Sequence, residues 1–238
     1  MPNEKLHVVV LAGGKGSRLK AVCQGLPKPL LDVGGQPLLG PILKQLLRAC
    51  LVPHTVYVQP GDVQVGPFVK DLFVGSAIEL LPCDLERGPF YWIHQVYRRT
   101  DATILALYSD FFAPHFDLCS FLAQARGMPQ CLVAAIGPSL PTTQAAVFER
   151  TGDSVSGWHR SPLNAPTDLL NVGCYLLRHD RAVDTAFSEC HTFLEDDVFP
   201  RLIKEAQLGA FVLPGPFINV NTPDNLDAAR AYFRECQR

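Results

Sequence analysis

The stretch LHVVVLAGGKGSRLKAVCQGLPKPL, Leu6–Leu30, decides how this chain is read. Its opening, Leu6–Leu11, carries no formal charge and is dominated by aliphatic and β-branched side chains, the composition of a strand buried on both faces of a parallel sheet. The loop behind it therefore starts at a strand's C-terminal end. Gly13, Gly14 and Gly16 remove Cβ atoms where the backbone must turn and bring N–H groups close to an anion, while Arg18 and Lys28 supply full positive charge. The spacing is neither G-x-x-x-x-G-K-[ST] nor G-x-G-x-x-G, so the two commonest phosphate motifs do not apply. Pro27 and Pro29 bracket Lys28 and restrict the backbone on both sides of it, which limits where its head can reach. Together these features point to nucleotide chemistry.

Working outward, Pro37–Cys50 places Leu38, Leu39, Ile42, Leu43, Leu46 and Leu47 at helical spacing, with Pro37 suited to a first turn. Short apolar strands are predicted at Thr55–Val58, Ala77–Leu81, Thr103–Leu107 and Leu132–Ile136, separated by helices near Val63–Val74, Phe90–Arg99 and Leu118–Arg126. This alternation predicts an α/β fold with a doubly wound, mostly parallel sheet. A hairpin follows, Val147–Arg150 turning through Thr-Gly-Asp into Val155–Trp158, and then an apolar strand, Leu169–Leu177. The expectation is one domain over residues 1–238: a nucleotide-binding half to about residue 136, then a smaller, β-rich half, with Gly137–Thr143 as the turn between them.

Composition excludes several classes. A formal charge of −2 and 47% hydrophobic residues in 238 suit a globular enzyme domain and give no basic surface for nucleic acid. No apolar run approaches the roughly 18 residues needed to cross a bilayer, and no secretory signal opens the chain, so a cytoplasmic protein without a membrane partner is expected. The eight cysteines form no C-x-x-C pair and mostly sit in apolar runs, and the seven histidines are dispersed; reduced core thiols and no zinc site are expected.

Taken whole, G-G-x-G-x-R-L, then P-K-P-L nine residues on, then VGGQPLL resembles the signature of the sugar-1-phosphate nucleotidyltransferases, a Rossmann-like family. The resemblance implies that Leu11, Ala12, Gly13, Gly14, Gly16 and Ser17 cradle a nucleoside triphosphate, that Arg18 contacts its phosphates, and that Lys28 neutralises charge at the α-phosphate. Asp110 follows a buried strand and so falls at the sheet's carboxyl edge beside the glycine loop. In Ser109-Asp110-Phe111-Phe112 it matches the family's aspartate for Mg²⁺. Gln59, just after a strand, is a candidate base contact. The family's L-[DG]-T-[AG]-G loop falls at Leu85–Pro89, where Leu85, acidic Glu86 and Gly88 persist but Arg87 and Pro89-Phe90 bring bulk.

For the sugar phosphate, the family's E-K-P triplet corresponds to His159-Arg160-Ser161-Pro162, leaving Arg160 to bind phosphate, and its N-A-G strand to Asn171-Val172-Gly173, implying that Asn171 and Gly173 meet sugar hydroxyls. Near the C-terminus a W-I-D-[IV]-G-T-P-like turn precedes a helix that Thr222 caps, with Pro223 in its first position. Two positions depart from the pattern. Asn219 stands where the family carries its second Mg²⁺ aspartate, an oxygen donor without the charge, and Asn221 replaces a glycine. The implied reaction is transfer of a nucleoside monophosphate to a sugar 1-phosphate with release of pyrophosphate, leaning toward GTP and a mannose- or manno-heptose-type sugar. A catalytically weak paralogue that binds nucleotide in a regulatory or scaffolding role is the alternative. A glycosyltransferase is a remoter one, since Ser109-Asp110-Phe111-Phe112 is not an Asp-x-Asp motif. Whether the chain forms a homo-oligomer stays open.

Overall fold

The computed structural model describes residues 5–14, 16–83, 88–140, 145–160, 167–188 and 194–237. In chain order, strand β1 (Leu6–Ala12) leads through the glycine loop to helices α1 (Lys20–Cys23) and α2 (Gly40–Arg48), then β2 (Thr55–Val58), α3 (Val65–Leu72), β3 (Glu79–Pro82), α4 (Pro89–Tyr97) and β4 (Thr103–Tyr108). Next come β5 (Phe111–Phe112), α5 (Leu118–Gly127), β6 (Leu132–Gly137), the hairpin β7 (Val147–Thr151) and β8 (Ser154–His159), and β9 (Leu170–Leu177). The chain ends with α6 (Arg181–Ser188), α7 (Leu194–Asp197), α8 (Phe199–Lys204), β10 (Leu208–Val212), β11 (Ile218–Asn219) and α9 (Pro223–Cys236). The strands and helices expected from periodicity form, with ends shifted by a few residues. The two-residue strands β5 and β11, too short to show a period, pair with each other apart from the main sheet.

Nine strands make that sheet, in the order β3-β2-β1-β4-β9-β6-β10-β8-β7. The first four run parallel, as helix crossovers require. Beyond β4 the sheet is mixed: β9 enters from a hairpin rather than through a crossover helix and pairs antiparallel with both β4 and β6. The sheet's inner strands are buried on both sides. Along β1, Val8, Val10 and Ala12 point into one core and Val9 and Leu11 into the other; Leu105 and Leu107 of β4 share the first, Ile104 and Ala106 the second. That two-sided burial is why these strands read as continuous apolar runs. A third cluster joins Leu19, Leu31, Val33 and Leu38, downstream of the glycine loop, to Phe112, Ile218, Val220, Leu226 and Tyr232. It clamps α9 and the β5–β11 pair against the loop's C-terminal flank.

Helix α9 is anchored by a capping box in which the Thr222 hydroxyl accepts from the Asn225 amide at 3.2 Å, while Asn225 Oδ1 accepts from the Thr222 amide at 3.1 Å and the Asn221 amide at 3.2 Å. The seven described cysteines are free thiols. Only Cys83, Cys131 and Cys174 are fully buried; Cys50, Cys119 and Cys236 are exposed, which corrects the expectation of core thiols for those three. Among the described residues no helix is long and apolar enough to cross a membrane.

At the edge of β1, His7 Nε2 lies 3.1 Å from the Thr55 hydroxyl, its ring 4.8 Å from that of His54, whose Nδ1 accepts from the Val8 amide. Burial lowers the pKa of His7, the neighbouring His54 lowers it further, and Glu79 opposes both. A histidine depressed in the folded state binds fewer protons there than in the unfolded chain. Stability therefore rises with pH between the depressed value and about 6.5, and is lost on acidification through that window. Urea midpoints measured between pH 7.5 and pH 5.5 should fall less steeply for His7→Gln than for the parent; equal slopes would refute this role for His7.

Candidate active site

Two strand ends make the cleft. The backbone of β1 continues through Gly13 and Gly14, that of β4 through Ser109 and Asp110, and the Ser109 amide donates to the Leu11 carbonyl at 3.1 Å, so the two loops leave the sheet side by side. Leu11, Gly13, Gly14, Lys28, Pro89, Tyr108, Ser109 and Asp110 line a cavity of ≈ 170 Å³ there, at the carboxyl edge of the parallel strands. Gly13 is needed for the approach of β3: a Cβ at this position would lie 1.8 Å from the Sγ of buried Cys83. A larger cavity, ≈ 390 Å³, opens between α2, the segment after β5 and α9, and none of the glycine loop borders it.

Lys28 provides the charge. Its side chain is only 9% exposed, and Nζ donates to Asp110 Oδ2 at 3.1 Å and to Asn221 Oδ1 at 2.6 Å. Cys23 lies close enough for the ammonium to act on it; burial pushes that thiol's pKa up and Lys28 offsets only part of the rise, so it stays protonated. Lys28, Asp110 and the loop residues Leu11, Gly13 and Gly14 thus meet in one place, from segments far apart in sequence. Ala12 is buried in the core beneath them, and Gly16 sits at φ +55° immediately before a 3₁₀ turn, Ser17–Leu19. Ser17 and Arg18 are exposed on that turn and are not among the cleft-lining residues. Gly88, at φ +73°, leads into α4, whose first residue Pro89 forms one wall; Gln59 follows β2 and does not line the cleft.

The sugar-side residues are arranged differently from a bare ligand site. Arg160 is 72% exposed, its guanidinium 2.6 Å from an Asp196 carboxylate oxygen. Buried Asn171 has both ends of its amide engaged, Nδ2 with the Tyr175 hydroxyl at 2.6 Å and Oδ1 with the Gly173 amide at 3.2 Å. Gly173, at φ +91°, lies under the ring of Tyr108: a Cβ there would fall 2.8 Å from it. Asn171 and Gly173 therefore reach the cleft through Tyr108. Leu85–Arg87 and Ser161-Pro162, read above as wall and phosphate-loop positions, lie outside the described residues.

Asp110 and Asn219 supply oxygen donors only, the chemistry a hard divalent cation selects. Their backbones are neighbours, since the Val220 amide donates to the Asp110 carbonyl at 2.7 Å and Asn219 pairs with Phe111. Among the described residues Asn219 Oδ1 is buried with no hydrogen-bond partner, an orphaned acceptor that a cation would satisfy. The chemistry of the two side chains fits such an ion, with one negative charge fewer than two carboxylates would bring; of the two, Asp110 lines the cleft. Sequence reasoning did not find the roles of Tyr108 and Asn221. Asn221 shows in the sequence as a polar residue just before a helix cap, in place of the family's glycine, with nothing to say that it meets Lys28.

A Rossmann-like sheet with a glycine loop, lysine and carboxylate at its carboxyl edge defines a nucleotide-binding α/β protein. Residues 8–153 match the MobA-like NTP transferase domain, and the chain belongs to that family. It is 25% identical over 224 residues to a mannose-1-phosphate guanyltransferase of Candida albicans, and 24% identical over 225 residues to that of Debaryomyces hansenii. Each alignment covers 90% of this chain and 61% of the relative, so the chain spans about three fifths of their length. A Bacillus anthracis structure named as a glucose-1-phosphate thymidylyltransferase, solved with sucrose, superposes with a TM-score of 0.80 at 16% identity, covering 97% of this chain and 96% of the other. The fold class and the sugar-1-phosphate nucleotidyltransferase resemblance are thereby borne out.

The Gly13–Cys83 contact gives a direct test of the loop. Gly13→Ala should destabilise the protein by about 1–3 kcal/mol through overpacking, and Gly13→Ala/Cys83→Ala should recover part of it, as measured by a double-mutant cycle of urea midpoints. Strict additivity of the two changes would show that the loop does not rest on Cys83.

Proposed function

We propose that this chain is a sugar-1-phosphate nucleotidyltransferase that transfers a nucleoside monophosphate from a nucleoside triphosphate to a sugar 1-phosphate, releasing pyrophosphate. The observation that carries the proposal is the direct pairing of Lys28 with Asp110 at the end of the glycine loop. One cation for phosphate and one carboxylate for a metal ion stand in a small cleft bordered by Leu11, Gly13 and Gly14, a layout for positioning and charge neutralisation rather than covalent catalysis. GTP, and a mannose- or manno-heptose-type sugar, are the preferred substrates in this reading, supported by the names of the relatives at 24–25% identity. A cytoplasmic setting, where nucleoside triphosphates are held, belongs to the same reading.

In the mechanism, Leu11 and Ala12 end the strand that carries the loop, the amides of Gly13, Gly14, Gly16 and Ser17 face the triphosphate, and Arg18 swings from its exposed turn onto the outer phosphates. Lys28 neutralises charge at the α-phosphate, where the sugar phosphate oxygen attacks in line with departing pyrophosphate. Asp110, with Asn219 as a neutral second donor, would hold Mg²⁺, which when bound supplies positive charge against the phosphate oxygens. Gln59 and Gly88 border the base. Arg160 exchanges Asp196 for the sugar phosphate, a substitution open to an exposed guanidinium. Asn171 and Gly173 shape the strand beneath Tyr108 and so the floor under the sugar.

One observation favours a second reading. Asn219 leaves the metal site with a single carboxylate, as a paralogue that binds nucleotide without turning it over would have. Pyrophosphate release should be assayed with Mg²⁺ across four nucleoside triphosphates and a panel of sugar 1-phosphates. The parent should turn over, best with GTP; Asp110→Asn should lower the rate about 100-fold or more, and Asn219→Asp should lower the Mg²⁺ concentration at half-maximal rate. Nucleotide binding without turnover by the parent, with activity appearing only in Asn219→Asp, would establish the second reading instead.

A further inference from the structure

Among the described residues the Lys28 ammonium has two partners of different kinds, and the second comes from an element that the chemistry above does not use. Asn221 precedes α9, and its Oδ1 accepts from Lys28 Nζ at 2.6 Å, closer than the 3.1 Å to Asp110. Asn221 is itself held. Its backbone amide donates to Oδ1 of Asn225, the buried side chain that closes the α9 capping box, and the neighbouring Val220 packs in the cluster beneath the glycine-loop flank. The C-terminal helix thus presents one fixed carbonyl oxygen to the head of the cleft's lysine.

We infer that Asn221 is the positioning residue for Lys28, making the N-terminal cap of α9 a working part of the nucleotide site; the inference rests on the nucleotide-binding reading given above. A lysine head is a point charge on a flexible four-carbon stem with three N–H donors. Pro27 and Pro29 restrict the backbone that carries it, and two acceptors on different chain segments fix the direction of the third N–H, which is left for phosphate. The identity of the second acceptor matters as much as its place. An amide oxygen orients the ammonium without cancelling its charge, whereas a second carboxylate beside Asp110 would turn the cation into the centre of a net negative cluster and repel the triphosphate. Position and charge therefore separate in two variants.

The test pairs the rate at which acetic anhydride labels Lys28, followed by mass spectrometry, with calorimetric affinity for four nucleoside triphosphates in Mg²⁺. Asn221→Ala releases the head: Lys28 labelling should rise several-fold and triphosphate affinity fall about tenfold, the scale of a lost hydrogen bond to a charged group. Asn221→Asp keeps the head in place but offsets its charge and favours the unreactive ammonium form, so labelling should stay at or below the parental rate while affinity still falls, and falls more at low salt. Unchanged labelling in Asn221→Ala would overturn the inference, as would parental affinity in either variant. If the parent binds no triphosphate, both the inference and the reading beneath it fall. If binding responds as expected while no sugar 1-phosphate is turned over, the transferase reading fails and the role of Asn221 stands.

Discussion

The contact on which the rest of the site depends is the three-way junction of Lys28 with Asp110 and Asn221, which joins residues 82 and 193 positions apart in sequence. A nearly buried ammonium is costly to desolvate unless paired and hydrogen-bonded. Here one carboxylate supplies the pairing and one amide the additional acceptor. The same group, held in that way, is the positive charge facing the small cleft at the carboxyl edge of β1 and β4. A structural requirement and a chemical one are met by the same atoms.

The fold serves this junction through two-sided burial. Strands β1 and β4, apolar on both faces, lie in register at the centre of the sheet, and their loops emerge together because the Ser109 amide ties to the Leu11 carbonyl. The third apolar cluster closes the arrangement from the side. It packs α9 and the short β5–β11 pair against the segment between the glycine loop and α2, which sets Asn221 opposite Lys28 and Asn219 beside Asp110. That cluster is the apolar part of the contact between α9 and the segment after the glycine loop.

The parallel half of the fold was legible in sequence because each strand is short, apolar and bounded by turn residues, and each helix carries its apolar face at regular spacing. Thr55–Val58 and the ends of α5 show how closely that pattern tracks structure. The places of Lys28 and Asp110 were legible for a related reason: prolines on both sides limit the reach of the lysine, and an aspartate directly after a buried strand falls at the sheet's carboxyl edge, while the roles proposed for them came from the family resemblance. The sugar side was less so. Asn171 looks in sequence like an amide in need of a ligand, and the structure gives it Tyr175 and the Gly173 amide instead. A buried amide needs partners, but sequence does not say whether the protein supplies them.

What the sequence by itself determined is the alternation of strands and helices, the glycine loop at the end of the first strand, and the lysine and aspartate proposed to serve it. These are set by local backbone preferences and by periodicity, which act over a few residues at a time. Only the tertiary structure decided that β9 enters the sheet antiparallel, that Gly13 makes room for Cys83 and Gly173 for Tyr108, and that Asn221 holds the lysine head. Each of these is a contact across tens to hundreds of residues. Such contacts depend on which surfaces pack together, and a local pattern carries no record of that.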